Sequence, residues 1–169
     1  YADGSSEELI GMLLAETNSR DKVVVATKAV SRPRTKRRFD ASRAHLLASL
    51  DGSLSRLGTD YVDVWYLHAW DPWTPLEETL AAADDAVRSG RVRYVAVSNY
   101  AGWQLARSAT WQKAVPGRSP IAAAQMEYSL VQRGIEREVV PAAAALGVGI
   151  TPWSPLGRGV LTGKYRYGT

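Results

Sequence analysis

A strand-like run recurs about every thirty residues, and that period constrains the fold of this chain more than any other feature. The runs are KVVVATK (22–28), YVDVWYLH (61–68), RVRYVAVSN (91–99), PIAAAQMEY (120–128) and VGITPWSPL (148–156), whose starts lie 39, 30, 29 and 28 residues apart. Helical patterns fill the intervals. Within 41–58, Leu46, Leu47, Leu50, Leu54 and Leu57 share one face, and Gly58 is a natural stop. A second helix is expected to open with Thr74 as N-cap, Pro75 at its first position and Glu77 completing a capping box. Its inner stripe is Leu76, Leu80, Ala83 and Val87, and Gly90 ends it. A third helix follows Asn99 and carries Trp103, Leu105 and Trp111, the two tryptophans read as packing residues. A fourth, 135–147, holds Pro141, which predicts a kink or a late start.

Strand and helix in strict alternation define an α/β chain with a parallel sheet and crossover helices. Two architectures meet that description: the open doubly wound sheet and the (β/α)8 TIM barrel. No GxGxxG follows any strand, and the strand ends carry polar groups, as they do in barrel enzymes. A full barrel takes about 250 residues. The 169 residues here are therefore expected to form about five of eight βα units, a single partial TIM-barrel domain over 1–169 with its N- and C-terminal parts missing. The start at Tyr1 and the end at KYRYGT both read as cuts in something longer.

Composition narrows the class. Hydrophobic residues make up 46% and charged residues 22%, a globular balance. A net charge of +4 is only mildly basic and argues against a dedicated nucleic-acid binder. Without cysteine there is neither disulfide nor thiolate metal site, and a reducing cytoplasm suits the chain. The longest apolar stretch, 139–150, contains a proline and is too short to span a membrane, and no signal peptide is visible.

The strand ends gather the chemistry. The first ends in Lys28, the second in His68 and then Asp71, the third in Ser98 and Asn99. The fourth carries Gln125 and ends near Tyr128; the fifth carries Trp153 and Ser154. A lysine at the edge of a core either snorkels to water or has a task. A histidine there is either a satisfied core residue or a working group. On neighbouring strands the pair suits a site that holds an oxyanion or moves a proton.

These segments also carry a resemblance. YADGSSEELIG at the start, VVVATK, DYVDVWYLH, VRYVAVSN, the 125–130 stretch QMEYSL and PWSPLGRGVLTGKY resemble, in order and over essentially the whole chain, the aldo-keto reductase family. The likeness is nearest to its bacterial, potassium-channel β-subunit-like branch. It implies a (β/α)8 barrel that reduces aldehydes or ketones with a nicotinamide cofactor, NADP more often than NAD. It implies catalytic roles for Tyr1, Lys28 and His68. The family's fourth group, an aspartate, would fall shortly before Tyr1, so the chain as given is expected to turn over little. Trp153 would stack on the nicotinamide ring, while Ser98, Asn99 and Gln125 bind its carboxamide. Ser154, Pro155, Leu156, Gly157 and Arg158 would follow the pyrophosphate, with Lys164 near a phosphate. The alternative is a nicotinamide-binding regulatory or redox-sensing subunit.

Two further features invite a reading. The run 31–40 concentrates Arg32, Arg34, Lys36, Arg37 and Arg38 after the first strand. It is read as a mobile, solvated loop, with an anion-attracting substrate lid as the other possibility and nucleic acid as an unfavoured one. Trp65, Trp70, Trp73 and Trp153 fall in or after strands and suggest an aromatic pocket wall for a small carbonyl substrate. His45 and His68 stand far apart, and no metal-ligand cluster is present in the sequence.

Overall fold

A computed structural model describes residues 4–32 and 35–165. Five strands alternate with helices: β1 (Ala26–Ala29), β2 (Val62–Leu67), β3 (Val92–Ser98), β4 (Ile121–Glu127) and β5 (Gly149–Trp153). The helices are α1 (Ser5–Thr17), α2 (Arg43–Leu57), α3 (Leu76–Arg88), α4 (Gly102–Ala114) and α5 (Val139–Leu146). The sheet order is β1-β2-β3-β4-β5 and every neighbouring pair is parallel. This is the five-unit piece of a (β/α)8 barrel that the thirty-residue period predicts.

The sheet is curled, as a barrel requires. The Tyr66 hydroxyl on β2 lies 3.2 Å from Thr151 Oγ1 on β5. Three strand spacings in a flat sheet would separate those backbones by about 14 Å. Register explains how the phenol reaches across. Lys28, Tyr66, Ala96, Ala123 and Gly149 form one row along the concave face. The small residues on β3, β4 and β5 leave the space that Tyr66 fills. On the convex face, Trp65, Leu67, Val95, Val97 and Ala124 are buried, together with Leu46, Leu50, Leu54 and Leu57 of α2. Leu76, Leu80 and Ala83 of α3 and Leu105 and Ala109 of α4 continue that core. Each fully buried leucine contributes about 1.5–3 kcal/mol.

Several local expectations hold and several need correction. Gly58 and Gly147 take left-handed φ of 62° and 65° and close α2 and α5 as read from sequence. A 3₁₀ turn (Gly134–Arg137) precedes α5, which starts late, placing Pro141 in its first turn where no intrahelical N–H is needed. Thr74 is not the cap of α3: Pro75 stands there without a side-chain cap. The Thr74 hydroxyl donates instead to Asp71 Oδ2 at 2.6 Å, a buried acceptor that outcompetes the helix end. The first strand is shorter and later than the run 22–28. Lys22 ends a 3₁₀ turn, and Val23 and Val24 are 44% and 76% exposed.

Helix α1 is not among the helices expected from sequence, although Leu9, Ile10, Leu13 and Leu14 recur at helical spacing; none of them is fully buried, and Leu14 packs partly against the core. Polar ties add to that contact. Glu7 accepts hydrogen bonds from Thr27 of β1 and from Arg56 Nε of α2, the latter at 2.7 Å. At the opposite end of the sheet, Asp63 accepts from the Val25 amide and pairs with Arg20 and Arg93 at 3.0 and 2.9 Å. No helix among the described residues is long and apolar enough to cross a membrane.

Candidate active site

Lys28 and His68 meet at the C-terminal side of the sheet. Lys28 is the third of four residues in β1 and pairs in register with Tyr66, whose ring centroid lies 5.4 Å from the ammonium. His68 follows β2 directly, and its amide donates to Ala29 O at 3.2 Å. Both side chains line a cavity of about 650 Å³ together with Ser31, Glu7 and Arg56. Burial lowers the Lys28 pKa from its ordinary value. Burial also lowers that of His68, and the Lys28 charge lowers it further. Burial first and the Lys28 charge second thus both favour the neutral imidazole. Tyr1, the third catalytic expectation, lies outside the described residues.

Next to this pair, four of the expected cofactor residues form one hydrogen-bonded unit. Asn99 ends β3 in a left-handed conformation, φ 56°. Its Nδ2 donates to the His68 carbonyl at 3.0 Å and to Ser98 Oγ at 3.1 Å. Its Oδ1 accepts from Trp153 Nε1 at 3.0 Å. Ser98, 1% exposed, donates its hydroxyl to the Gln125 carbonyl at 2.9 Å. Asn99 thus ties the ends of β2, β3 and β5. The Gln125 side chain makes no hydrogen bond to another described residue, so its amide is open to a ligand beside the half-buried indole of Trp153. A flat face next to an unused amide fits a carboxamide-bearing ring such as nicotinamide.

Beyond Trp153 the chain turns tightly. Ser154, Gly157, Arg158 and Gly159 have φ of 52°, 58°, 54° and 95°. Pro155 sits in this turn, and Leu156 is 57% exposed. Arg158 pairs with Glu127 Oε1 at 3.3 Å and stands 5.6 Å over the Trp153 ring. Three consecutive left-handed residues, 157–159, fold this turn on itself, with the Gly157 and Gly159 amides donating to Ser154 O and Leu156 O at 2.9 and 3.1 Å. Lys164 stands over the Tyr165 ring at 4.9 Å.

Other residues have different work from the one sequence suggested. Asp71 is no open rim group. Its carboxylate accepts from Ala41 N at 2.8 Å, Trp73 N at 3.0 Å, Thr74 Oγ1 at 2.6 Å and Arg37 Nη2 at 2.7 Å. Burial raises its pKa, but these four donors outweigh it and the net shift is downward. The basic run is consequently not a free loop. Arg37 is fastened to Asp71, and Arg32 to Asp40 at 3.0 Å. Trp65 is no part of a pocket wall, being wholly buried on the convex face. Trp103 is 57% exposed rather than packed inside, and it meets the Trp70 ring edge at 5.3 Å. Trp111, 38% exposed, lies under Arg118 at 4.9 Å. Tyr128 donates to Glu136 Oε1 at 2.7 Å. Sequence reasoning missed Ser31, whose Oγ lies 3.0 Å from His68 Nδ1. A serine in a basic run gives no signal of that contact.

The fold and site together are a five-strand parallel piece of an α/β barrel, with a lysine–histidine pair and an anchored tryptophan at its strand ends. The chain belongs to the aldo/keto reductase family, whose sequence pattern matches residues 1–169. It is 38% identical over 170 residues to a probable voltage-gated potassium channel subunit beta of Oryza sativa subsp. japonica, covering 99% of this chain and 52% of that protein. It is 38% identical over 169 residues to the uncharacterized oxidoreductase YrpG of Bacillus subtilis, covering 95% and 51%. To the L-glyceraldehyde 3-phosphate reductase of Escherichia coli K12 it is 37% identical over 177 residues, covering 98% and 48%. The chain spans about half the length of these relatives.

Proposed function

We propose that the protein reduces an aldehyde or ketone to an alcohol, with a reduced nicotinamide dinucleotide, NADPH in preference to NADH, as hydride source. The observation that carries this reading is the half-buried Lys28 whose charge bears on His68, with the Asn99–Trp153 unit alongside. When bound, the dinucleotide supplies the hydride that goes to the carbonyl carbon. The side chains manage the charge that appears on oxygen. A phenol of pKa about 10 is a poor acid near neutrality. The Lys28 ammonium favours the phenolate of Tyr1 and so strengthens Tyr1 as the proton donor. Neutral His68 orients the carbonyl oxygen. Trp153 supplies a flat face for the nicotinamide, and Gln125 with Asn99 and Ser98 fixes its carboxamide. Residues 154–158 follow the pyrophosphate, and Lys164 meets a phosphate.

The similarity to a potassium channel subunit beta favours one alternative, a dinucleotide-binding regulator with slow turnover. One experiment separates the two. Titration of the whole protein with NADPH is followed by fluorescence, and aldehydes and ketones are then added. Carbonyl-dependent loss of NADPH absorbance supports the reductase. Quenching without turnover across the panel supports the regulator.

A further inference from the structure

We propose that Ser31 is the positioning residue of His68, holding the imidazole as the tautomer that carries its proton on Nε2. The proposal rests on the reading that His68 works at a carbonyl oxygen, and two separate features of the chain point to it.

The first is a backbone oddity. Val30 is wholly buried and has φ 87°, a region that β-branched residues avoid. Such strain persists only where the surroundings over-determine it, and it clusters at functional sites. Val30 stands directly between the end of β1 and Ser31, at the foot of the segment that returns to it through the Asp40 N–Val30 O bond. The second is the contact itself, Ser31 Oγ to His68 Nδ1 at 3.0 Å. Ser31 is exposed, so its hydroxyl has water available and does not need the ring for satisfaction.

The segment behind Ser31 is built to keep it in place. Ser31 bridges Phe39, Arg32 N donates to Arg38 O at 2.7 Å, and Asp40 N donates to Val30 O at 2.9 Å. Asp71, three residues past His68, then clamps this hairpin through Arg37 and Ala41. The basic run thereby becomes a brace that couples the β1 turn to the segment bearing the histidine. Either atom of this contact can donate; as proposed, the Ser31 hydroxyl donates to Nδ1, which leaves the ring hydrogen on Nε2, the form able to donate to a carbonyl oxygen.

The test reads the ring nitrogens directly. In the ¹⁵N-labelled whole protein at neutral pH, long-range ¹H–¹⁵N correlation should show a bare Nδ1 and a protonated Nε2 for His68. Ser31→Ala should move both nitrogens toward the tautomer mixture of free neutral histidine, and Ser31→Thr should restore the wild-type pattern. In parallel kcat should fall about ten-fold in Ser31→Ala, with dinucleotide affinity unchanged, and recover in Ser31→Thr. A protonated Nδ1 in the wild type, or unchanged nitrogen shifts in Ser31→Ala, overturns the proposal. Should Ser31→Ala fail to fold, the same nitrogen shifts are read in Ser31→Gly and Ser31→Thr, and a wild-type pattern in Ser31→Gly overturns the proposal. Unchanged turnover in His68→Ala would instead remove the catalytic reading, leaving the tautomer result to stand on its own.

Discussion

The indole hydrogen of Trp153 points at the side-chain oxygen of Asn99, 3.0 Å away, although β4 lies between the strands that carry them. The aromatic face is fixed by a polar bond that only tryptophan, among the flat apolar side chains, can make. The same Asn99 holds the carbonyl of His68, so the proposed cofactor and catalytic ends of the site share one amide.

Trp153→Phe keeps a flat face and loses that bond. A neutral hydrogen bond contributes about 1 kcal/mol. NADPH should therefore bind about five-fold more weakly, measured by fluorescence titration. Wild-type affinity in Trp153→Phe would show that the Asn99 bond has no part in orienting the indole.

Asp71→Asn should destabilise the fold by about 2–3 kcal/mol, because four donors converge on one buried carboxylate and an amide cannot accept from them all. The pH dependence has a definite sign. The folded pKa of Asp71 is depressed, so its contribution is present above the ordinary carboxylate value of about 3.9 and is lost as pH falls through the folded value. Urea melts between pH 3 and 7 should show a steeper acid loss for the wild type than for Asp71→Asn.

Gly102 opens α4 against the C-terminal neighbour helix. A Cβ there would lie 2.5 Å from Glu138 Cβ and 3.0 Å from its backbone carbon. Backbone cannot yield as a side-chain tip can, so Gly102→Ala should cost about 1–3 kcal/mol in a denaturant melt. A change within 0.5 kcal/mol would mean that α4 and α5 are not held at this distance.

His68 should give activity an acid limb. Its folded pKa lies below the ordinary imidazole value of about 6.5, because of burial first and Lys28 second. The neutral form is thus favoured in the fold. Its stability contribution is present above about pH 6.5 and declines as pH falls. The kcat/KM profile should stay level through that value and drop only below it. Replacing Lys28 with methionine should move the drop to higher pH.

The fold was legible because parallel βα units repeat a length. The starts of the runs at 61, 91, 120 and 148 fall within one residue of the observed strands. The first run misled because Val23 and Val24 look like strand yet stand exposed, and period alone cannot say which part of a β-branched run is paired. Helix α1 shows the converse: Leu9, Ile10, Leu13 and Leu14 recur at helical spacing, yet Leu9, Ile10 and Leu13 stand exposed and Glu7 supplies its ties to β1 and α2. Lys28, His68, Asn99 and Trp153 could be picked out because strand ends are predictable places. Ser31 and the Asp71 clamp could not, since both depend on two loops far apart in sequence meeting in space.

The central claim is that the Lys28 ammonium acidifies the proton donor of a carbonyl reduction. Single-turnover oxidation of bound NADPH by an aldehyde, followed by stopped-flow absorbance in the whole protein, tests it most directly. Burial already holds the Lys28 charge below its ordinary pKa, so Lys28→Met should melt no lower than the wild type. The claim predicts a fall of about 10²–10⁴-fold in the chemical step for Lys28→Met, with NADPH binding within two-fold of wild type. Equal single-turnover rates in the two proteins would contradict it.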